Sequence, residues 1–99
     1  MIRHIVLLRW SENATEESKV STLRALHGLA AEVPTVKDLK AGTDFAGRGN
    51  FDLALTIDFD SRDDLMAYLE HPAHRHVVAT NIKETVAQSE ILDFEHPGA

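Results

Sequence analysis

The sequence predicts an α+β fold, in which one four-stranded antiparallel sheet carries helices on one of its faces. Strand-like stretches, with alternating or β-branched apolar residues, lie at residues 2–10, 36–43, 51–59 and 89–95. Longer stretches with apolar residues at helical spacing lie between them, at residues 15–32 and 61–86. The order along the chain is therefore β-α-β-β-α-(α)-β, which is the order of the ferredoxin-like fold.

Residues 2–10 form the first predicted strand, and both faces of this strand are apolar at the centre. One face carries His4, Val6 and Leu8, and the other carries Ile5 and Leu7. A strand with two apolar faces is normally covered on both sides. Because the helices cover only one face of the sheet, we expect a second copy of the protein to cover the other, in a homodimer with its two sheets face to face.

Residues 15–32 form the first predicted helix. Its apolar positions repeat at helical spacing, at Val20, Leu23, Leu26 and Leu29. Pro34 ends the helix, because a proline restricts the residue before it to extended conformations. The second strand follows at residues 36–43 and alternates loosely.

Residues 51–59 form the most regular strand, with large apolar residues on one face and small or polar residues on the other. Ser61 and Asp64 then have the spacing of a capping box, which starts a helix. Pro72 interrupts this helix and starts a second helical segment, because proline is tolerated in the first turn. That segment is expected to continue to Val86 and to lead into the last strand at residues 89–95.

The composition excludes several classes of function. The 99 residues fit one domain, over residues 1–99, since domains commonly contain about 100–150 residues. The net charge of −6 disfavours nucleic acid and anionic membrane surfaces, which bind clustered Lys and Arg. The absence of cysteine excludes disulfides and thiolate chemistry. The apolar run within residues 1–10 is too short for a signal peptide or a membrane span, so we expect a cytoplasmic protein.

Residues 68–76 concentrate proton-transfer groups at the predicted bend. His74 is the strongest catalytic candidate, because the usual pKa of histidine, near 6.5, allows it to take and give protons around neutral pH. Tyr68 can donate a hydrogen bond to a developing enolate. His4 lies on the same strand face as Val6 and Leu8, and would reach the same cavity if that face meets the helices. An ordinary structural role, as a hydrogen-bonded buried histidine or a core aromatic, is open to each of the three.

The other histidines of this stretch do not favour a zinc site. His74 and His76 are two residues apart on a helix and point in different directions, whereas helical zinc ligands share one face. His71 directly precedes Pro72, so we expect it to cap the junction or to meet solvent. His76 is expected to face solvent.

Four segments of the chain resemble the stress-responsive A/B barrel domain family, also called Dabb. They are residues 1–10 (MIRHIVLLRW), 51–55 (FDLAL), 67–74 (AYLEHPAH) and 91–94 (ILDF). The resemblance extends over essentially the whole chain, and it implies a dimeric α+β barrel. The family includes olivetolic acid cyclase, which closes a polyketide chain by aldol condensation. Matched residue by residue, its catalytic histidine and tyrosine fall on His74 and Tyr68, and its first-strand pocket histidine falls on His4.

The resemblance also implies a substrate pocket and catalysis that needs no cofactor. We expect Val6, Leu8, Leu23, Leu26 and His27 to line it. Leu23 and Leu26 stand where the cyclase has aromatic residues, which implies a pocket of different size.

Some plant members of the family bind magnesium through backbone carbonyls at the end of the first helix. The matching positions here are Ala30, Val33 and Val36. Carbonyl ligands leave no mark in a sequence, so the residues neither favour nor exclude a metal there.

Three functions remain open at this level. The leading one is the binding of a small apolar or carbonyl-containing molecule, with cofactor-independent acid–base catalysis of the aldol-cyclase or lyase type. The second is a non-catalytic stress-response or structural dimer. The third is a cofactor-free monooxygenase.

Overall fold

The computed structural model describes residues 1–98 and confirms the predicted α+β fold, with one antiparallel sheet of four strands in the order β2-β3-β1-β4. The strands are β1 (Ile2–Trp10), β2 (Asp38–Thr43), β3 (Leu53–Phe59) and β4 (Val86–Glu95). The helices are α1 (Glu16–Glu32), α2 (Arg62–Glu70), α3 (Pro72–Val77) and α4 (Lys83–Thr85), and a π-helical turn at Val78–Ile82 joins the last two. Ala99, the last residue of the predicted domain, lies outside the described residues.

Helix α1 begins at a capping box that the sequence reading did not identify. The Thr15 hydroxyl accepts a hydrogen bond from the Ser18 amide at 3.0 Å, and the Thr15 amide donates to the Ser18 hydroxyl at 2.8 Å. These two bonds satisfy amide groups that a helix start leaves unpaired. The helix ends where predicted, because Val33, directly before Pro34, has an extended backbone.

The junction between α2 and α3 also lies where the sequence predicts it. Ser61 caps α2 by accepting a hydrogen bond from the Asp64 amide at 3.1 Å. His71 has an extended backbone, and its Nδ1 accepts a hydrogen bond from the Ala73 amide at 3.0 Å. Pro72 takes the first position of α3, where its missing amide hydrogen is not needed. The chain therefore bends at His71, and α2 and α3 point in different directions.

The second helical segment is less regular than predicted. It divides into α3, the π-helical turn and α4, and the last strand begins at Val86 rather than at residue 89. The Thr85 hydroxyl donates to the Asn81 carbonyl at 2.6 Å and lies 3.1 Å from the buried Thr22 hydroxyl of α1. This contact ties the end of the segment to α1, and Val86 then pairs with Trp10 beyond an irregularity in the β1–β4 ladder.

The two faces of the sheet have different surroundings. On the helix side, Leu53, Ile57 and Phe59 of β3 are completely buried beneath the helices. On the opposite side, which we call the outer face, Leu92 and Phe94 of β4 are 61% and 39% exposed. The helices therefore cover one face of the sheet only, as the sequence predicts.

Candidate functional site

A cavity of about 300 Å³ lies between the helix layer and the sheet. Its polar lining groups are two histidines, one tyrosine and one serine, and the other lining residues are aliphatic. The lining consists of His4, Val6, Leu8, Leu26, Leu29, Leu55, Tyr68, Leu69, His74, Val77, Val78, Ile82, Ser89 and Ile91. An apolar hollow with a few convergent polar groups is the usual form of a small-molecule site.

Three rings stand next to one another in this cavity, and each comes from a different element. Tyr68 near the end of α2 and His74 of α3 have ring centroids 4.6 Å apart, across the bend at His71. His4 of β1 meets the Tyr68 ring edge to face, with centroids 5.9 Å apart. Phe59 packs against the tyrosine ring at 5.3 Å and fixes its position from below. The structure thus brings His4, Tyr68 and His74 together.

The geometry at His74 determines which of its nitrogens is available. Its Nδ1 lies 3.0 Å from the Leu69 carbonyl oxygen, and a carbonyl can only accept, so Nδ1 carries the proton. The neutral ring therefore keeps a lone pair on Nε2. Burial lowers the pKa of His74, the Leu69 carbonyl opposes this by raising the pKa, and His4 and Arg75 lower it further. His74 is consequently neutral at pH 7, in the form that can act as a general base.

Tyr68 is the largest of the fully buried side chains among the described residues, and it is 1% exposed. Burial raises the pKa of Tyr68 to about 12, because the phenolate would lose its hydration. The phenol is therefore neutral and remains a hydrogen-bond donor at physiological pH. The Tyr68 side chain lines the cavity, where its hydroxyl can donate a hydrogen bond to a bound molecule.

Asp93 is a site residue to which the sequence reading gave no role. Its carboxylate accepts a hydrogen bond from Nδ1 of His4 at 2.5 Å. His4 itself is 3% exposed, whereas the Asp93 side chain is 40% exposed at the edge of β4. A carboxylate behind a histidine fixes its tautomer and orientation. The contact between His4 and Asp93 could not be predicted from the sequence. It depends on the register of β1 and β4, which places the two residues opposite each other.

Three of the five residues expected to line a pocket lie along this cavity. Val6, Leu8 and Leu26 line the cavity, whereas Leu23 and His27 do not. The rotation of α1 explains why Leu23 and His27 lie outside the cavity, because Thr22, Leu26 and Leu29 form its buried face. His27, one residue beyond Leu26, is turned to solvent, and Leu23 lies near Trp10 at another part of the surface.

The remaining histidines of residues 68–76 have structural or surface positions. His71 caps α3 as described above, and His76 is exposed. Across residues 1–98, no three histidine, aspartate or glutamate side chains are grouped closely enough to hold a metal ion. At the end of α1, the Val33 carbonyl already accepts a hydrogen bond from the Val36 amide at 3.1 Å.

Fold and cavity together define the chain as a ferredoxin-like α+β protein with a small apolar site between its two layers. A profile of the stress responsive A/B barrel domain matches residues 2–96. The chain belongs to this Dabb family, as its sequence motifs indicate. No helix within residues 1–98 is long and apolar enough to cross a membrane.

Several solved structures are similar to this chain. A dimeric ferredoxin-like protein of unknown function from Thermobifida fusca YX is 35% identical, with a TM-score of 0.85 over 94% of this chain and 88% of that one. A dimeric protein of unknown function and ferredoxin-like fold from Bacteroides fragilis is 25% identical, with a TM-score of 0.83 over 96% and 95%. A hydroxynitrile lyase from Passiflora edulis is 20% identical, with a TM-score of 0.84 over 94% and 90%. A comparison with curated proteins finds no match.

Proposed function

We propose that this protein forms a homodimer through its outer sheet face and binds a small, largely apolar carbonyl compound in the cavity. On that compound it performs cofactor-independent acid–base chemistry of the aldol-cyclase or lyase type. The observation that carries this proposal is the convergence of two imidazoles and one phenol, His4, His74 and Tyr68, in an otherwise aliphatic hollow.

The protonation states of the site suit proton abstraction next to a carbonyl group. His74 is neutral, and its Nε2 lone pair removes the α-proton, so that the C–H electron pair passes into an enolate. The Tyr68 hydroxyl donates a hydrogen bond to the enolate oxygen. The enolate carbon then attacks a second carbonyl, and the resulting alkoxide takes the proton back from His74. The His4–Asp93 pair holds the bound molecule in the orientation that this sequence needs.

The lining of the cavity restricts the class of ligand. Neither lysine nor arginine belongs to the lining, so no cation is present to pair with a phosphate or carboxylate. Its volume of about 300 Å³ is at the lower end of the range for small-molecule pockets. We therefore expect an uncharged ligand that presents one or two oxygen atoms to the three rings and apolar carbon to the rest.

The proposed dimer would bury the apolar residues on the outer face that a single chain leaves exposed. Leu92 and Phe94 are large apolar residues with no cover on the outer face. The relatives from Thermobifida fusca and Bacteroides fragilis are dimeric proteins of the same fold, and the matches span most of this chain. We also propose that residues 1–99 are one domain and that the protein is cytoplasmic, which agrees with its acidic, cysteine-free composition.

Purified protein incubated with linear poly-β-keto compounds, and in parallel with hydroxynitriles, tests the proposal. Hydroxynitriles belong in the panel because a hydroxynitrile lyase shares this fold. We expect His74→Ala to lower kcat about 100-fold or more, since general acid–base groups commonly contribute that much. Tyr68→Phe should lower it less, because only the hydrogen bond to the enolate oxygen is lost.

His76→Ala is the matched control, because His76 belongs to the same helix but is exposed. It should keep wild-type turnover. Equal turnover by wild type and His74→Ala would remove His74 from the chemistry. If wild type turns over no carbonyl compound, the non-catalytic dimer becomes the better account, and oxygen uptake with electron-rich aromatic compounds tests the monooxygenase alternative.

A further inference from the structure

The loop between β2 and β3 has a fixed shape. At its base, the Asp44 amide donates to the Asp52 carbonyl at 2.8 Å, and the Asp44 carboxylate accepts from the Gly47 amide at 2.8 Å. Gly47 and Gly49 both have positive φ angles, which a side chain would disfavour. Arg9 of β1 donates to the Gly49 carbonyl at 3.1 Å and holds the far side of the loop. The loop is therefore braced at both ends and at its turn.

This braced loop presents one large apolar side chain to solvent. Phe45 is 100% exposed, although it lies within the turn that the hydrogen bond between Asp44 and Gly47 closes. A fully exposed phenylalanine leaves a large apolar surface in water, and an aromatic side chain on a well-positioned backbone is a typical anchor of a protein interface. Holding the residue in place beforehand also reduces the entropy that binding would otherwise cost.

The loop leans over the outer face of the sheet. A second hollow, of about 410 Å³, lies between the loop residues and the outer face, where it is floored by Leu7 of β1 and Ala54 of β3. Phe45 is one of the residues at its rim. On the same face of β1, Leu7 is followed by Ile5, which pairs with Leu92, so apolar side chains connect the hollow to Leu92.

The charges of the outer face suit contact with an identical surface. In a two-fold dimer each patch meets a copy of itself, so unpaired charge would repel. Arg3 and Asp58 neutralise each other through two hydrogen bonds of 2.8 and 3.1 Å, and Lys40 lies 2.6 Å from Asp38. Outside these pairs, Arg9 and Glu90 add one charge of each sign to the same face. Charges of both signs distributed in this way limit the repulsion between two copies.

We propose that Phe45 is an anchor of the homodimer, packing against the outer face of a second copy of this chain. The proposal rests on the homodimer proposed above and adds a specific contact to it. The occupant of the surface around Phe45 is therefore another copy of the same protein.

The dissociation constant of the dimer, measured by analytical ultracentrifugation across a dilution series, tests this anchor. We expect Phe45→Ser to raise Kd about tenfold or more, since two anchors are lost per dimer. Phe45→Leu, which keeps an apolar side chain, should lie between Phe45→Ser and wild type. Val78→Ser is the matched control, because Val78 is a 42% exposed apolar residue in the helix layer, on the other side of the sheet from the outer face, and it should keep the wild-type Kd. Far-UV circular dichroism of each variant checks that the fold is intact.

A second variant separates the anchor from the dimer. Leu92→Glu places a charge among the exposed apolar side chains of the outer face and should dissociate the dimer whether or not Phe45 contributes. If Leu92→Glu dissociates it and Phe45→Ser leaves Kd unchanged, the anchor is wrong and the dimer stands. If wild type is monomeric at all concentrations, both are wrong. Equal weakening by Phe45→Ser and Val78→Ser would also overturn the anchor.

Discussion

On the helix side of the sheet, Leu53, Ile57 and Phe59 are buried by the protein's own helices, whereas on the outer side Leu92 and Phe94 remain in contact with solvent. Both faces have large apolar residues, so composition does not distinguish them. The difference lies in what covers them. The protein's own helices cover the helix side except at the cavity with the three rings, and no part of the described chain covers Leu92 and Phe94 on the outer side.

This comparison assigns different tasks to the two faces. The helix side holds the core and also the candidate chemistry, because the bend at His71 leaves a hollow where α2, α3 and the sheet meet. The outer side holds ion pairs such as Arg3–Asp58, the exposed Leu92 and the loop with Phe45. Substitutions on the two faces should accordingly be separable, with the helix side affecting folding and ligand chemistry and the outer side affecting assembly.

The largest expected effect is on the helix side. Phe59→Ala removes a completely buried ring that packs on Tyr68, and it should lower the free energy of unfolding by about 3–5 kcal/mol. Phe94→Ala is the matched change on the outer face and should lower it by less than about 1 kcal/mol for the dissociated chain, because half-exposed side chains lose less on truncation. Urea denaturation at low protein concentration measures both. Equal losses at the two positions would contradict the distinction between the faces.

The second largest expected effect is the loss of unfolding free energy in acid that the protonation of His74 causes. Burial lowers the pKa of His74 in the folded state, so the unfolded chain binds a proton more readily. Stability is therefore complete above the unfolded pKa, near 6.5, and decreases as the pH falls below it. His74→Gln should make this decrease shallower, as followed by urea denaturation between pH 7.5 and about pH 4.5.

The exposed His76 provides the control for this measurement. His76→Gln should keep the wild-type slope of unfolding free energy against pH. If His74→Gln also keeps that slope, the buried position of His74 has no effect on its proton affinity.

The smallest expected effect is at Asp58 on the outer face. The hydrogen bond from Arg3 lowers the pKa of Asp58, and the charge of Arg3 lowers it further. The ionised carboxylate therefore stabilises the fold above the unfolded pKa of about 3.9, and this contribution disappears as the pH falls through the lower folded value. Asp58→Asn should remove that acid-side component, seen as a shallower loss of stability below pH 4 in urea denaturation. Glu12→Gln, an exposed carboxylate in the β1–α1 connection, should leave it unchanged.

The features predicted correctly from the sequence are those encoded by near neighbours in the chain. Pro34 ends α1 and Pro72 starts α3, because the restrictions that a proline imposes act on adjacent residues. The alternation along β3 predicted its buried face for the same reason. The capping role proposed for His71 likewise depends only on Ala73, two residues away.

Only part of the candidate site could be predicted from neighbouring residues in the sequence. Tyr68 and His74 were identified by chemistry and resemblance, and their roles remain predictions. Their proximity depends on the angle of the bend at His71, which one helical period does not describe. His27, expected in the pocket, lies outside this cavity, because the packing of Leu26 and Leu29 turns it to solvent.

By itself the sequence determined the elements, their order and the breaks between them, because those follow from local sterics and from the period of apolar residues. Only the tertiary structure decided which side chains meet. Asp93 lies behind His4 through pairing between residues 89 positions apart, and the hydroxyl of Thr85 in α4 meets that of Thr22 in α1 across 63 positions. Contacts between residues so far apart depend on strand register and helix rotation. The packing of the whole core determines both, and no single segment encodes them.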